Sequence, residues 1–521
     1  MLTLPPLTLF APILLLAVAA LAARHPGRRP GKLPLLAEGA AFAAVLLALG
    51  GVAQLWASGP VTLSSGPDAA PLSFRLDAIS ATMSLLVTFV GWIVTRYSRS
   101  YLDGEHREGA FHALMLVTLA AVLVLVQSGS MGVLVLASLA VGQGLRRLLL
   151  FYPDRAEARR AAAKFSLCWG VGDVALIAAA GLLWGAFGTT DIVALAALAA
   201  TAPLPVMTGF AAGLLVLAAA VKTAAFPLHG WLTEVMEAPT PVSALLHAGI
   251  INAGGFILIR LAQVIQASPS AMAALVMLGG FTALFGAMVM LTQSSVKTGL
   301  AWSTVSQMGF LLLQCGLGLW PLALLHIVAH SLYKAHAFLS SGGAVQAVAS
   351  VRKPGPVAVP GGKVVMRAFA LALLLYAGVA TGFAMLSGPK SPQALALGAI
   401  LILGVAYLVA QGLADTAPKA LTLRTLAAAL GAAIAYFGFH LGASALWGPH
   451  LPAPPVAGPL EWALITLAIM SFGVVAIAQA LFPIWAHHPA AAGLRVHLAN
   501  GLYLNAVLDR MIGGLRLSQR N

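Results

Sequence analysis

"KTAAFPLHGWLTEVMEAPTPVSALLHAG", Lys222 to Gly249, lies between two long apolar runs and carries a lysine, two glutamates, two histidines and three prolines. Each polar group is costly in apolar surroundings unless it finds a partner. Pro227 interrupts the chain after Lys222, and Pro239 with Pro241 interrupts the start of the next run, because proline has no N–H to donate to a helix. Irregular backbone at membrane depth is tolerated where it lines a cavity or is covered by protein. The plain alternative is a lysine at a span end that reaches out to the surface. Glu234, Glu237 and His247 weigh against it, since His247 falls well inside the following apolar run.

That reading needs a membrane, and the composition supplies one. Hydrophobic residues make up 60% of 521 positions and charged residues only 8%, against roughly 25% charged in a soluble domain. Apolar segments of about 20 residues, the length of a spanning helix, recur along nearly the whole chain and number about fifteen. The fold class is an all-α polytopic membrane protein with about 14–15 transmembrane helices. Met1–Ala23 reads as a retained helix, lacking a basic stretch before its apolar run and a clean small-residue cleavage site. Cys168 and Cys315 both lie in apolar runs, so neither a disulfide framework nor a cysteine metal motif is expected.

The net charge of +14 could suggest nucleic acid, but its placement excludes that reading. Arg24, Arg28, Arg29 and Lys32 follow the first span, Arg96, Arg99 and Arg107 the third, and Arg146, Arg147, Arg155, Arg159, Arg160 and Lys164 the fifth. Arg352, Lys353, Lys363, Arg367, Lys419 and Arg424 continue the pattern, and the tail adds Arg495, Arg510, Arg516 and Arg520. Alternate loops such as "ASGPVTLSSGPDAAPLS" and "WGPHLPAPPVAG" have almost no Lys or Arg. By the positive-inside rule the N-terminus is periplasmic and the C-terminus cytoplasmic, in a cell inner membrane. The longest polar interruptions are Pro153–Lys164 and Ser350–Val365, and the tail from His497 is expected to lie along the cytoplasmic surface or reach a partner subunit. A second Gly/Pro interruption, "TGFAMLSGPKSP" (381–392), suggests a paired broken helix and an inverted repeat.

Polar residues inside the spans mark a route. In "LLHIVAHSLYKAHAFLSSGG", His326, His330 and Lys334 follow at i, i+4 and i+8, which places them on one helix face about 6 Å apart per step. Buried ionisable groups in a membrane are expensive and mark ion paths, and histidine titrates near neutrality. A metal site is the weaker reading of that row, because no Cys or carboxylate shares the face. Lys297, alone, reads as an interfacial anchor near Ser303, Thr304, Ser306 and Gln307. Asp173, inside the sixth span, could partner a lysine, while Asp77 reads equally as a surface residue paired with Arg75. Nucleotide loops, dinucleotide fingerprints and nucleophile signatures are absent from the sequence.

"VKTAAFPLHGWLTEVMEAPTPVSALLHAG", "SVKTGLAWSTVSQMGF" and "HIVAHSLYKAHAFLSSG" resemble the core motifs of the proton-translocating antiporter-like subunits. This family includes the large membrane-arm subunit of respiratory complex I and the large subunit of multi-subunit sodium/proton antiporters. The resemblance is dense from about Asp77 to Gly343. It implies a core of about fourteen helices with two inverted five-helix repeats and broken helices. The expected division is 1–108 (helices 1–3), 109–264 (first repeat), 265–412 (second repeat) and 413–521 (last helices and an amphipathic tail). It assigns Lys222 as the central lysine, places His247, Lys297, His326, His330 and Lys334 on the polar axis, and retains Asp173; Glu234 joins the cation pathway.

The chain departs from the pattern. Where the family's fifth helix carries a glutamate that pairs with the lysine, this chain has Ser138, Leu139 and Ala140; the arginine before "VGD" is Gly170; and the nearest lysine after Gly382–Phe383 is Lys390. With a short tail, these departures resemble the DabB-type branch, membrane subunits of two-component systems that accumulate dissolved inorganic carbon. That resemblance implies a cation-conducting subunit, H⁺ or Na⁺, in the lipid bilayer. It would serve a cytoplasmic DabA-like partner similar to a β-type carbonic anhydrase, with zinc in the partner and no cofactor or metal in this chain. It also implies a transporter subunit rather than an enzyme. A proton or sodium antiporter subunit of a complex I-like or Mrp-type assembly is the alternative, and a non-conducting scaffold is a third.

Overall fold

In the computed structural model, residues 5–67, 69–201, 204–235, 238–343, 361–413 and 419–513 are described. Glu237, Arg352, Lys353, Arg516 and Arg520, with most of the Ser350–Val365 connector, lie outside them. Helices α1 (Phe10–Ala23), α2 (Leu33–Ser58), α3 (Ala78–Tyr101), α4 (Glu108–Val126), α5 (Met131–Leu149) and α6 (Ala156–Phe187) come first. A short α7 (Ile192–Ala199) precedes α8 (Val206–Lys222), α9 (Gly230–Thr233), α10 (Thr240–Ala248), α11 (Ala253–Arg260) and α12 (Ala262–Gln266). Then follow α13 (Pro269–Met290), α14 (Val296–Gly316), α15 (Trp320–Leu339), α16 (Gly362–Ser387), α17 (Pro392–Gly412), α18 (Lys419–Trp447) and α19 (Pro459–Ala480). The tail holds α20 (Phe482–Trp485), α21 (Pro489–Ala499) and α22 (Leu504–Met511). Among the described residues, 12 helical stretches are long and apolar enough to cross a membrane, and Leu7–Ala23 and Val206–Lys222 are shorter apolar helices. With the more polar α14, helices stand at every span the hydropathy pattern marks, and the polytopic all-α class holds.

Local chemistry explains many of the helix starts. Asp77 accepts from the Ser80 N–H while Ser80 Oγ accepts from the Asp77 N–H, a reciprocal cap on α3. Ser130, Asp191, Ser268, Ser295 and Ser391 cap α5, α7, α13, α14 and α17 with side-chain oxygens. The α13–α14 contact is built on missing side chains. A Cβ on Gly279 would approach Gly309 O at 2.7 Å, and one on Gly286 would meet Ser306 N at 2.7 Å, the close backbone approach that small residues permit between membrane helices.

One feature goes beyond the sequence reading. An antiparallel hairpin, β1 (Val61–Ser65) and β2 (Leu72–Leu76), pairs Val61 with Leu76. It crosses the end of the bundle opposite the Arg-rich turns, where the Arg75 N–H bonds Gln127 O. The Arg-rich turns meet at the other end, here the basic face: Arg28 bonds His106, and Arg107 donates to Phe151 O.

The break at Lys222–Gly249 is real and central. α8 stops at Lys222, Ala224 takes φ 53°, and the chain does not return to a full helix until Thr240. α10 and α11 are separated by a single tight turn at Ile250–Asn252. This broken segment is almost wholly buried, whereas α16 and α19 show most of their surface to the outside. The second interruption is different. Gly382 and Phe383 sit within an uninterrupted α16, and 388–391 is the turn to α17, because Gly388 (φ 81°) ends the helix rather than breaking it midway. The loop expected at Pro153–Lys164 is also corrected: "AEARRAAAK" is rich in strong helix formers, so α6 begins at Ala156 and Lys164 is helical.

Candidate functional site

Lys222 ends α8 in the middle of packed protein and is fully buried. Its Nζ donates to Asp173 Oδ1 of α6 at 2.6 Å. Ser138 Oγ of α5 donates to the same oxygen at 2.9 Å. The lysine therefore has a carboxylate partner, from α6 rather than α5, with a hydroxyl at the α5 position. The ammonium lies 4.0 Å from the Trp169 ring centroid, a favourable face for a desolvated cation. The Trp169 indole N–H points at Ser138 O at 3.4 Å, and Gly142 has no room for a Cβ against that ring. Gly172 likewise makes way for the Lys222 stem, whose Cγ and Cε lie 3.2 and 3.3 Å from where its Cβ would be. Serine, tryptophan, aspartate, glycine and lysine thus form one unit held by three helices.

Toward the basic face α6 carries a member of a second ion pair. Lys164, which the sequence presents as one more loop charge, is fully buried, donates to Glu234 Oε1 at 2.6 Å and Asn505 Oδ1 at 2.7 Å, and forms an ion pair with Asp509 Oδ1 at 2.8 Å. Glu234 is thus drawn to Lys164, not to Lys222. Helical periodicity held a signal for this residue, since Ala161, Lys164, Phe165 and Cys168 fall on one buried face. Between the two pairs sit Phe165, Trp169 and Trp231, all buried, with ring centroids 5.1 Å, 5.4 Å and 6.2 Å apart.

The histidine row assembles as its spacing predicts, with partners from other helices. His330 is buried, and neither ring nitrogen has a hydrogen-bond partner among the described residues. The ring of His326 is 6.0 Å away, and its Nδ1 meets Gln314 Oε1 at 2.8 Å. Lys334, fully buried, donates to Ser303 Oγ at 2.6 Å and Leu300 O at 3.0 Å. His247 of α10 stacks on Phe338 at 4.3 Å and shares a hydrogen bond with Thr304 Oγ1 at 3.1 Å. His247, His326 and Lys334 are all close enough to act electrostatically on His330. Asn252, in the turn between α10 and α11, donates to Ser331 Oγ at 3.1 Å and ties the hinge to this row. Lys297 stands apart at the basic face, donating to Thr240 Oγ1 at 3.3 Å. Among the described residues no hydrogen bond joins Lys222–Asp173 directly to the histidine row.

A third buried pair lies toward the hairpin end. Asp77 is not a surface residue: Arg260 Nη1 donates to its Oδ2 at 2.6 Å and Arg75 Nε at 2.9 Å. Arg260 also donates to Ser128 O at 3.2 Å. Burial pushes the Asp77 carboxyl up, but Arg260, the Ser80 N–H and Arg75 together hold it down at about 2. Arg260 ends the half-helix that begins just past the hinge, so one broken segment carries His247 on one side and this pair on the other. Among the described residues no group of three or more His, Cys, Asp or Glu side chains could hold a metal ion.

Sequence comparison places this chain among known proteins. The model for the NADH:quinone oxidoreductase/Mrp antiporter transmembrane domain matches residues 128–388, and that for the N-terminus of complex I chain 5 matches 63–112. The probable inorganic carbon transporter subunit DabB2 of Halothiobacillus neapolitanus is 36% identical over 98% of this chain and 93% of its own length. The probable inorganic carbon transporter subunit DabB of Hydrogenovibrio crunogenus is 44% identical over 63% of each chain. Solved structures agree on the fold. A chain of the Mrp complex from Dietzia sp. superposes with a TM-score of 0.65 at 23% identity, covering 99% of this chain and 60% of that one. A chain of respiratory complex I from Thermus thermophilus gives 0.56 at 20% identity, covering 96% and 99%. By its matched domain and its full-length relative, the chain belongs to the NADH:quinone oxidoreductase/Mrp antiporter family of membrane subunits.

Proposed function

We propose that this chain is the proton-conducting membrane subunit of a two-component inorganic-carbon accumulator. In this reading it sits in the cell inner membrane, with its N-terminus periplasmic and the basic face cytoplasmic. It carries protons inward, and a zinc-containing partner resembling a β-type carbonic anhydrase uses their energy to hydrate CO2 to bicarbonate in one direction. The chain itself performs no hydration and holds no cofactor.

The observation that carries the reading is the buried Lys222–Asp173 pair, in a chain similar over its whole length to an inorganic carbon transporter subunit. A proton reaching Asp173 neutralises the carboxylate and weakens its hold on Lys222. The ammonium, kept dry by Trp169, is then free to exchange its proton. Lys222, Asp173, His247, His326, His330 and Lys334 carry the route, while Lys297 and Glu234 serve its basic-face end.

A carbonic-anhydrase-deficient host grown in air tests the reading. Expression of this chain with its partner is expected to restore growth, and Lys222→Ala to abolish the rescue. An expressed, assembled pair that gives no rescue would overturn it. Copurification with several membrane and iron–sulfur subunits, in place of one soluble zinc protein, would do the same in favour of a redox-linked antiporter subunit.

A further inference from the structure

We propose that Lys164, Glu234 and Asp509, with Asn505, form a second proton-transfer station at the basic-face mouth, separate from Lys222–Asp173 and completed by the C-terminal helix α22. The inference rests on the conducting role proposed above and adds residues to it.

Convergence on the lysine is the first argument. Lys164 donates to Glu234 Oε1 at 2.6 Å and Asn505 Oδ1 at 2.7 Å, and its ammonium forms an ion pair with Asp509 Oδ1 at 2.8 Å. Two of those oxygens come from α22, some 340 residues along the chain. Asn505 also donates to Glu234, and Arg160 stands 3.7 Å from Glu234 and 3.9 Å from Asp509, so two acids face two bases.

Exposure is graded through the cluster. The Lys164 side chain is 0% accessible, Glu234 17% and Asp509 27%. A tether between a tail and a membrane domain would gain nothing from removing its lysine entirely from water, since desolvation works against an ion pair. A relay needs that order: water, then a carboxylate, then a buried base. In one transfer the Lys164 ammonium gives a proton to the Asp509 carboxylate, leaving a neutral amine and a carboxylic acid. The acid releases the proton to water at the basic face, and the amine takes the next proton from the interior.

The position fits. Asp173 follows Lys164 by nine residues on α6, about 13.5 Å along the axis. The Phe165–Trp169–Trp231 cluster fills the interval, with Trp169 against the Lys222 ammonium. An aromatic seal between two charge pairs separates exchange with water from exchange with the interior. The chain also accepts unfavourable backbone to aim α22: Gly501, Leu502 and Tyr503 have φ of 55°, 53° and 61° in succession. Gly501 fits against Trp302, and Gly230 lacks the Cβ that would collide with Asn505.

The test uses the complex with its partner, reconstituted in proteoliposomes under an imposed pH gradient and read with a trapped pH dye. Asp509→Asn and Lys164→Gln are expected to lower proton flux at least tenfold while the tail stays protected from protease. Asp509→Glu is expected to recover most of the flux, and Arg510→Ala, on the exposed side of α22, to match wild type. Asn505→Ala separates the roles, since it weakens docking and keeps the acid: the station predicts flux well above that of Asp509→Asn. Equal losses in those two variants, or wild-type flux in Asp509→Asn with Lys222→Gln inactive, would reduce the cluster to an anchor. Wild-type flux in Lys222→Gln itself would instead bring down the conducting role on which the station rests.

Discussion

Removing one member of the Lys222–Asp173 pair should cost more than removing both. Lys222 is fully buried, its ammonium 2.6 Å from the carboxylate. In Lys222→Ala the charge on Asp173 keeps only the Ser138 hydroxyl, 2.9 Å away. An uncompensated buried charge costs about 3–5 kcal/mol, and loss of the ammonium from the Trp169 face adds to this. At about 1.4 kcal/mol per tenfold, the ratio of folded to unfolded protein should fall by two to three and a half powers of ten. Replacing both partners by apolar groups of similar size, Lys222→Met with Asp173→Leu, removes the orphaned charge and should recover most of that loss. The assay is the unfolding midpoint of purified single and double variants in detergent, beside proton flux in proteoliposomes. The expected pattern is two unstable single variants, a nearly wild-type double variant, and no flux in any of them. Additive losses in the double variant would refute the coupling, and a stable Lys222→Ala would show that the pair is not buried as described.

Further outcomes follow from the neighbours of this pair and from the hairpin end. Asp77 is held at about 2, below the ordinary carboxylate value of 3.8, so its contribution is complete above about pH 4 and lost as pH falls toward 2. That depression is worth on the order of 2 kcal/mol. Unfolding followed from pH 5 to pH 2 should show wild type losing stability across this window, and Asp77→Asn, weaker at neutral pH, losing less. Gly142→Ala places a Cβ 2.6 Å from Trp169 Cδ1 and Nε1, an overpacking worth about 1–3 kcal/mol. It should lower the unfolding midpoint and the flux together, because the displaced ring is the one that faces Lys222. Ser138→Ala removes a hydrogen bond to a charged acceptor, worth about 1.5–3 kcal/mol; it should destabilise less than Lys222→Ala and leave measurable flux.

Much of the membrane architecture was legible because hydropathy is summed over whole spans, and the break at Lys222–Gly249 because proline acts locally. The row His326–His330–Lys334 was equally legible, since three positions on one helix need only the helical repeat to be brought together. What escaped the sequence was pairing between distant elements. Asp77 looked like a partner for Arg75, two residues away, and nothing local announces that Arg260 reaches it as well. Lys164 looked like a loop charge because the neighbouring arginines dominate the composition, although the apolar spacing around it is helical. Glu234 was assigned by nearness in sequence to Lys222, yet a turn and α9 carry it to Lys164. The expected break in α16 failed for a related reason: Gly382–Phe383 alone does not stop a helix, and the glycine that ends it at a positive φ is Gly388.

The lysine without its fifth-helix glutamate is better described as a lysine that pairs with the retained sixth-helix carboxylate alone. Asp173 is one methylene shorter than a glutamate, yet it reaches Lys222 because Gly172 lets the lysine stem lie against α6 and Gly142 lets Trp169 turn toward the ammonium. Ser138, at the α5 position, donates a hydrogen bond where a carboxylate would place a second negative charge. Two carboxylates around one ammonium would leave a surplus charge to be neutralised at each transfer; one carboxylate, one hydroxyl and one aromatic face leave none. A single pair of this kind has one protonation event to control. Helix α6 also carries Lys164, nine residues before Asp173. Both buried pairs therefore have one member on α6, Asp173 in one and Lys164 in the other.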